Sequence, residues 1–148
     1  MADDDVGPVL FAYDGSSQAK ASIREAARQL GPGRRAIVMT AWEPPELLPY
    51  GGPGYQDAEK LERRLEANAG KVADEGAEIA RSVGFGATPL ATNGSPVWRT
   101  IVDTAEEHDA GIIVMGSHGR TGIGLVLMGS VASNVVRHAE RPVLVVRG

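Results

Sequence analysis

Three glycines and a serine stand at a spacing that suits phosphate binding. Two residues separate Gly116 from Gly119, nine separate Gly119 from Gly129, and Ser130 follows at once. Glycine lets backbone N–H groups approach a phosphate closely, and a helix N-terminus adds about half a positive charge. No Asp or Glu lies between Gly116 and Ser133. The segment therefore predicts an anion site, with phosphate as the favoured ligand.

Positive charge is scarce around this loop. Arg120 is the one Lys or Arg within it, and the three lysines of the chain lie elsewhere, at positions 20, 60 and 71. A triphosphate carries more negative charge than Arg120 and a helix N-terminus offset, so we expect a divalent metal to come with the ligand. Asp14, which follows the first predicted strand, is the candidate to support that metal or to accept from a ribose hydroxyl.

Each of these residues also has an ordinary structural interpretation. Loop glycines are often only turn residues, Ser130 alone suits a helix cap, and Asp14 after a strand suits a turn or cap. A loop histidine such as His118 is more often solvated than catalytic. The G-x-x-x-x-G-K-[ST] loop is absent, and no G-x-G-x-x-G follows the first strand. Spacing, strand context and the lack of acids together favour phosphate binding.

Strands and helices alternate along the chain and would position these residues. Apolar runs predict strands at Val9–Tyr13, Ala36–Met39, Thr88–Ala91, Ala110–Met115 and Val143–Val146. Amphipathic spacing predicts helices at Gln18–Leu30, Asp57–Val83, Val97–Glu107 and Ser130–Ala139, the third with Ser95 as N-cap and Pro96 as its first residue.

This order predicts an α/β fold with a doubly wound, mainly parallel sheet. In such a sheet ligands bind at the carboxyl ends of the strands. Asp14 follows the first predicted strand, Ala41 the second, and the segment from Gly116 to Ser130 the fourth. These three places would therefore converge on one ligand.

Composition narrows the class of protein. The 148 residues, 43% hydrophobic, predict one domain over residues 1–148. The net charge of −4 argues against nucleic acid as a partner, and the absence of cysteine excludes disulfides and thiol chemistry. The acidic first ten residues are unlike a signal peptide, so a cytoplasmic location without membrane contact is expected. Glu43–Gln56 holds four prolines and three glycines, which predicts a loop that could close over a ligand.

Three segments resemble the universal stress protein family: Val9–Ser17, Gly116–Ser130 and Arg141–Val146. The middle segment matches the ATP-binding pattern of that family, which is Gly, two residues, Gly, nine residues, Gly, then Ser or Thr. The resemblance covers the whole chain. It implies a five-stranded parallel sheet in the order 3-2-1-4-5, ATP with Mg²⁺ or Mn²⁺ on its phosphates, and a homodimer formed through Val143–Val146.

The resemblance also assigns roles to individual residues. Asp14 would face the ribose and the metal, and Ala41 would lie against the adenine. The residues expected to hold the ribose and phosphates, together with their loop neighbours, are Gly116, His118, Gly119, Arg120, Gly129, Ser130, Val131 and Ala132. Ala132 stands where ATP-binding relatives often carry a hydroxyl, so one phosphate contact would fall to a backbone N–H or to Ser133.

Binding is favoured over catalysis. Hydrolysis needs a group that orients water or takes a proton near the γ-phosphate, and His118 is the one loop residue suited to that task. We therefore expect an ATP-binding regulatory or sensor module of the stress response. The alternatives are a slow ATPase or phosphotransferase, and a member that binds no ATP and acts through protein partners.

Overall fold

Five parallel strands form the centre of the fold. The computed structural model describes residues 6–45, 55–118 and 128–147. The strands in this part are β1 (Val9–Ala12), β2 (Arg35–Trp42), β3 (Gly86–Asn93), β4 (Ile112–Gly116) and β5 (Val143–Val146). They are ordered β3-β2-β1-β4-β5, and every neighbouring pair is parallel. The predicted doubly wound α/β sheet and its strand order are confirmed.

The described helices are α1 (Ser17–Leu30), α2 (Tyr55–Ser82), α3 (Val97–Glu107) and α4 (Ser130–His138). The two faces of the sheet each bury an apolar layer. Val9 and Phe11 of β1 pack in the layer that α1 and α2 cover, whereas Leu10 packs in the layer that α3 and α4 cover. This alternation follows from the two-residue period of a strand. None of the helices in the described ranges is long and apolar enough to cross a membrane.

Two strands are longer than predicted. β2 and β3 each have eight residues, and they pair along their whole length from Arg35 with Gly86 to Trp42 with Asn93. Polar and small residues continue both strands because ladder pairing holds them, which apolar runs alone do not reveal. Ala41 therefore lies within β2. β3 is at the edge of the sheet, as its proline predicts.

Helix starts also differ from the predictions. Pro96 occupies the N-cap of α3 and Gly129 that of α4, with no side-chain hydrogen bond at either cap, so neither Ser95 nor Ser130 is the capping residue. Both cap residues have the extended backbone that the position requires (φ −73°, ψ 161° and φ −68°, ψ 166°). α2 begins at Tyr55, so the predicted loop ends two residues earlier, and its residues 46–54 lie outside the described part.

Candidate functional site

The N-terminus of α4 lies at the carboxyl edge of the sheet. Ser130 is its first helical residue, and the N-cap residue, Gly129, has no side chain that could cap the helix. The N–H of Ser133 already donates to the carbonyl of Gly129, at 2.9 Å. The N–H groups of Ser130, Val131 and Ala132 precede this first helical hydrogen bond, and such groups are the natural ligands of an anion. Because the N–H of Ser133 is used in the intrahelical bond, three donors remain before it.

Gly129 ties this helix start to the end of β4. Its N–H donates to the carbonyl of Ser117 at 2.7 Å. A Cβ at position 129 would lie 3.2 Å from that same oxygen and 3.6 Å from the Cα of His118. The glycine therefore allows a backbone approach that a larger residue would crowd. Two parts of the predicted phosphate motif, Gly116 as the last residue of β4 and Gly129 before α4, are thus brought together.

Asp14 lies at the same edge, directly after β1. Its Oδ1 accepts from the N–H of Ser16 at 2.9 Å, and Ser16 in turn caps α1 by accepting from the N–H of Ala19 at 3.1 Å. This is the turn role that the sequence offered as its ordinary interpretation. The same contact holds the carboxylate in place at the end of the strand, where a role toward ribose or metal stays a prediction.

The end of β2 is bonded to the end of β1. The N–H of Tyr13 donates to the carbonyl of Met39 at 2.9 Å, and Thr40 Oγ1 donates to the carbonyl of Tyr13, also at 2.9 Å. Ala41 follows at once, half-buried against the apolar layer of α3 and α4. The strand ends that carry Asp14 and Ala41 are therefore neighbours, as predicted.

Gln18 is a contributor that the sequence analysis missed. Its Oε1 accepts from the backbone N–H of His118 at 2.9 Å and from Ser117 Oγ at 3.2 Å. The two partners are about a hundred positions away along the chain, and glutamine in a first helical turn is too common to signal such a contact. Gln18 fastens the loop after β4 to α1.

The two ring nitrogens of His118 have different surroundings. Nδ1 lies 3.1 Å from Ser117 Oγ, whereas Nε2 is buried and forms no hydrogen bond with the part of the chain that the structure describes. Gly119 and Arg120, the next predicted ligand residues, lie outside that part. Val131 is half-buried, and the methyl group of Ala132 packs into the apolar layer, so only the backbone N–H of Ala132 is suited to a ligand.

Beneath this edge, α2 is fastened to β1 by a buried tyrosine. Tyr13 donates its hydroxyl to Glu75, which also forms an ion pair with Lys20 at 3.5 Å. Burial, followed by the hydrogen bond to Glu75, raises the pKa of Tyr13 well above its usual range. This contact stabilises the strand end that precedes Asp14.

Protein ligands alone do not make a metal site here. Within the described ranges, no three His, Cys, Asp or Glu residues come together in a group that could hold an ion. A single carboxylate such as Asp14 suits a metal that is bound mainly by phosphate oxygens, as Mg²⁺ commonly is. Asp14 therefore fits a metal that arrives with the ligand, and the residues of the described ranges do not form a group that would hold one by itself.

Comparison with known proteins decides the family. The model of the universal stress protein family matches residues 6–147. This chain belongs to that family. The universal stress protein in the QAH/OAS sulfhydrylase 3' region of Thermus aquaticus is 38% identical over 142 residues, which cover 94% of this chain and 97% of that protein. MJ0577 of Methanocaldococcus jannaschii is 35% identical over 88 residues, or 60% of this chain and 54% of that protein.

Solved structures agree with the sheet order. MJ0577 superimposes with a TM-score of 0.80 at 26% identity, over 97% of this chain and 96% of that chain. The universal stress protein from Archaeoglobus fulgidus in complex with dAMP superimposes with a TM-score of 0.61 at 27% identity, over 94% and 96% of the two chains. The resemblance to the universal stress proteins that the motif indicated is confirmed.

Proposed function

We propose that this universal stress protein binds ATP, with Mg²⁺ or Mn²⁺, at the carboxyl edge of its sheet and acts as a regulatory or sensor module of the stress response. The observation that carries the proposal is the uncapped N-terminus of α4 beside the ends of β1 and β4. A relative of known structure in complex with dAMP supports an adenine nucleotide as the ligand class.

The roles of the residues follow from where they lie. The N–H groups of Ser130, Val131 and Ala132 would receive phosphate oxygens, since they precede the first intrahelical bond. Asp14 would serve the ribose or the metal, and Ala41 would lie against the base. The metal would offset phosphate charge that the helix N-terminus alone cannot balance.

Holding the nucleotide is favoured over cleaving it. No carboxylate lies between Gly116 and Ser133 to orient an attacking water. His118 is the remaining group, and its Nδ1 is already engaged by Ser117 at 3.1 Å. We therefore propose a binding protein in which hydrolysis, where it occurs, is a slow side reaction.

The partner we propose is a second copy of the chain, placed along β5. The carbonyls of Pro142 and Val146 accept from β4 at 2.9 Å each, so the backbone groups of Val143 and Val145 point to the open side of the strand. No described strand pairs there. An apolar strand with no charge or proline in it suits pairing across a two-fold axis. A cytoplasmic location remains the prediction from sequence.

Isothermal titration calorimetry tests the proposed function. Purified protein titrated with ATP and Mg²⁺ should release binding heat, with GTP and inorganic phosphate as controls for the base and for the bare anion. A preference for ATP supports the proposal. The absence of heat up to about 1 mM ATP, a free energy of about −4 kcal/mol, would overturn it.

A further inference from the structure

A chain of three hydrogen bonds determines which nitrogen of His118 carries a proton. The N–H of His118 can only donate, so the Gln18 atom 2.9 Å away is the amide oxygen. That oxygen can only accept, and Ser117 Oγ, 3.2 Å from it, therefore gives it the hydroxyl proton. Because its proton is used in that bond, Ser117 Oγ can only accept from His118 Nδ1, which lies 3.1 Å away. Nδ1 must then be the protonated nitrogen.

The ring of His118 lies beside the start of α4. Nε2 is buried and has no hydrogen-bond partner among the described residues. Cδ2, the ring atom bonded to Nε2, would lie 3.9 Å from a Cβ on Gly129. The ring edge formed by Cδ2 and Nε2 therefore lies next to the N-cap of α4, which precedes the N–H groups of Ser130 and Val131. In the neutral ring protonated at Nδ1, Nε2 carries a lone pair at this edge.

We propose that His118 takes up a proton when the nucleotide binds and donates from Nε2 to a phosphate oxygen, with Gln18 as the residue that positions the ring. A phosphate oxygen is an acceptor, so it repels the lone pair of the neutral ring and pairs with the imidazolium. The proton comes from solvent, and no covalent bond changes. This inference rests on the nucleotide binding proposed above and adds a second formal positive charge to a loop that has only Arg120.

The surrounding charges permit this protonation. The charged residues closest in sequence to the segments that contact this loop are one acid, Asp14 after β1, and two bases, Lys20 in α1 and Arg147 after β5. The first turns of α1 and α4 contain no acidic residue that would compete for the Nε2 proton. The phosphates themselves would therefore be the principal negative charge at Nε2.

Calorimetry at two pH values measures the proton directly. ATP with Mg²⁺ is titrated at pH 6 and pH 8, each in two buffers of different ionisation enthalpy, into the native protein and the His118→Gln variant. One linked proton makes affinity rise up to about tenfold per unit fall in pH. The variant measures the proton uptake or release that comes from the nucleotide alone, because the terminal phosphate of ATP also loses a proton near pH 6.

We expect the native protein to take up more protons on binding and to show a steeper pH dependence of affinity than His118→Gln, in which only the nucleotide's own proton contributes. Equal proton uptake in the two proteins would overturn the role of His118 while leaving nucleotide binding intact. An absence of nucleotide heat at both pH values would instead overturn the proposed function and this inference with it.

Nuclear magnetic resonance tests the hydrogen-bond chain in the free protein. Long-range ¹H–¹⁵N spectra above pH 7.5 should show neutral His118 protonated at Nδ1. His138 is an internal reference, because its Nδ1 faces the carbonyl of Asn134 at 2.9 Å and must donate. Gln18→Leu should move the His118 proton to Nε2, and Gln18→Glu, which keeps an acceptor, should restore it to Nδ1. An Nε2–H signal from His118 in the native protein would contradict the assignment.

Discussion

Gly129 is important because it has no side chain, and not because of its backbone dihedral angles. Its backbone (φ −68°, ψ 166°) is one that any residue adopts. Its place is the N-cap of α4, a position at which aspartate and asparagine are preferred. A glycine here leaves the helix N–H groups uncovered. The chain thus forgoes a cap of its own at the proposed phosphate site.

Gly129→Asp should separate folding from binding. The carboxylate would accept from the N–H groups at the start of α4, which offsets the crowding of its Cβ against the Ser117 carbonyl, so the free energy of unfolding should stay within about 1 kcal/mol of the native value. Affinity for ATP should fall at least a hundredfold, because the carboxylate both occupies the donors and repels the phosphates. Urea unfolding and calorimetry give the two values.

Gly129→Asn is the matched control for this change. Asparagine has nearly the same volume and also caps helices, but it carries no charge. It should therefore weaken ATP binding less than aspartate does. Unchanged affinity in Gly129→Asp would remove the N-terminus of α4 from the site.

Tyr13 gives a prediction for stability against pH. Burial and the hydrogen bond to Glu75 raise its pKa in the folded state, while in the unfolded chain it ionises near pH 10. The stability that this contact contributes is therefore complete below pH 10 and is lost as the pH rises further. Tyr13→Phe should lose about 1–3 kcal/mol at pH 7.

The same variant should show a smaller fall in unfolding free energy between pH 9 and pH 11 than the native protein, as measured by urea unfolding. Phenylalanine fills the same space but cannot ionise. The pH dependence that remains in the variant therefore comes from the other ionisable groups, such as the remaining tyrosines and the lysines. An identical fall in both proteins would mean that ionisation of Tyr13 does not cause the loss of stability at alkaline pH.

Residue-level prediction from the sequence depended on spacing. Gly116 and Gly129 were predicted because their separation is a motif, and the structure brings both to the same edge, while their role toward a ligand stays a prediction. Gln18 was not found, because its contacts with Ser117 and His118 exist only after α1 packs against β4. The cap of α4 was misplaced by one residue for a related reason. The choice between Gly129 and Ser130 depends on which backbone is extended, not on which side chain could cap.

Among the elements, α2 contains two glycines that look alike in sequence and differ in structure. A Cβ on Gly70 would meet nothing within 4 Å. A Cβ on Gly76 would lie 2.6 Å from Val38 Cγ1 and 2.7 Å from Cδ2 of the Tyr13 ring. Both partners are buried and rigid, so they cannot move aside at low cost. At Gly76, α2 packs closely against Val38 of β2 and against Tyr13, which follows β1.

Alanine at these two positions should therefore have opposite effects. Gly70→Ala should stabilise the protein by up to about 1 kcal/mol, because alanine is the better helix former. Gly76→Ala should destabilise it by about 1–3 kcal/mol, because the methyl group overpacks the core. Urea unfolding of the pair measures both shifts. Stabilisation by Gly76→Ala would contradict the close packing of α2 against Tyr13.

Sequence periodicity predicted every described strand and helix, but not all of their ends. The apolar run Ala36–Met39 gave only the middle of β2, because Thr40, Ala41 and Trp42 are held by pairing with β3. Pro89 of β3 was placed at an edge for a sound reason: proline cannot donate to a central ladder. Periodicity reports burial, whereas ends depend on pairing and on capping geometry.

At the scale of the whole molecule, the side of β5 that faces away from β4 is the proposed dimer interface. Val145→Pro would remove an N–H that points away from β4 and would leave the ladder within the sheet intact. The native protein should be a dimer by size-exclusion chromatography with light scattering, and this variant a monomer with the same circular dichroism. Val145→Thr keeps the N–H and nearly the same shape, so it should stay dimeric.

A dimeric Val145→Pro protein would place the interface elsewhere on the molecule. A monomeric native protein would overturn the proposed homodimer altogether. In either case the sheet order and the nucleotide proposal stand on other observations, because the carboxyl edge is formed by β1, β2 and β4 of one chain.

The overall architecture could be predicted from the sequence for two separate reasons. Alternating strands and helices predicted a parallel α/β sheet from physical pattern alone. The order 3-2-1-4-5 came from the resemblance to the family, since periodicity does not say which strands are neighbours. The long-range bonds that join Gln18 to the loop, and Tyr13 to α2, follow only from the assembled fold.

A tryptophan ring stacks against the C-terminal end of α4, so tryptophan fluorescence can report on this helix. The rings of Trp98 and His138 stack with centroids 4.2 Å apart and planes 21° from parallel, and the Arg99 guanidinium lies 5.2 Å from the indole centroid. α4 is nine residues long, with the proposed phosphate site at one end and this stack at the other. Indole emission depends on the groups against its ring. Because the chain has only one other tryptophan, Trp42, a Trp42→Phe protein carries a single tryptophan, and its emission reports the contact between Trp98 and α4 without a dye.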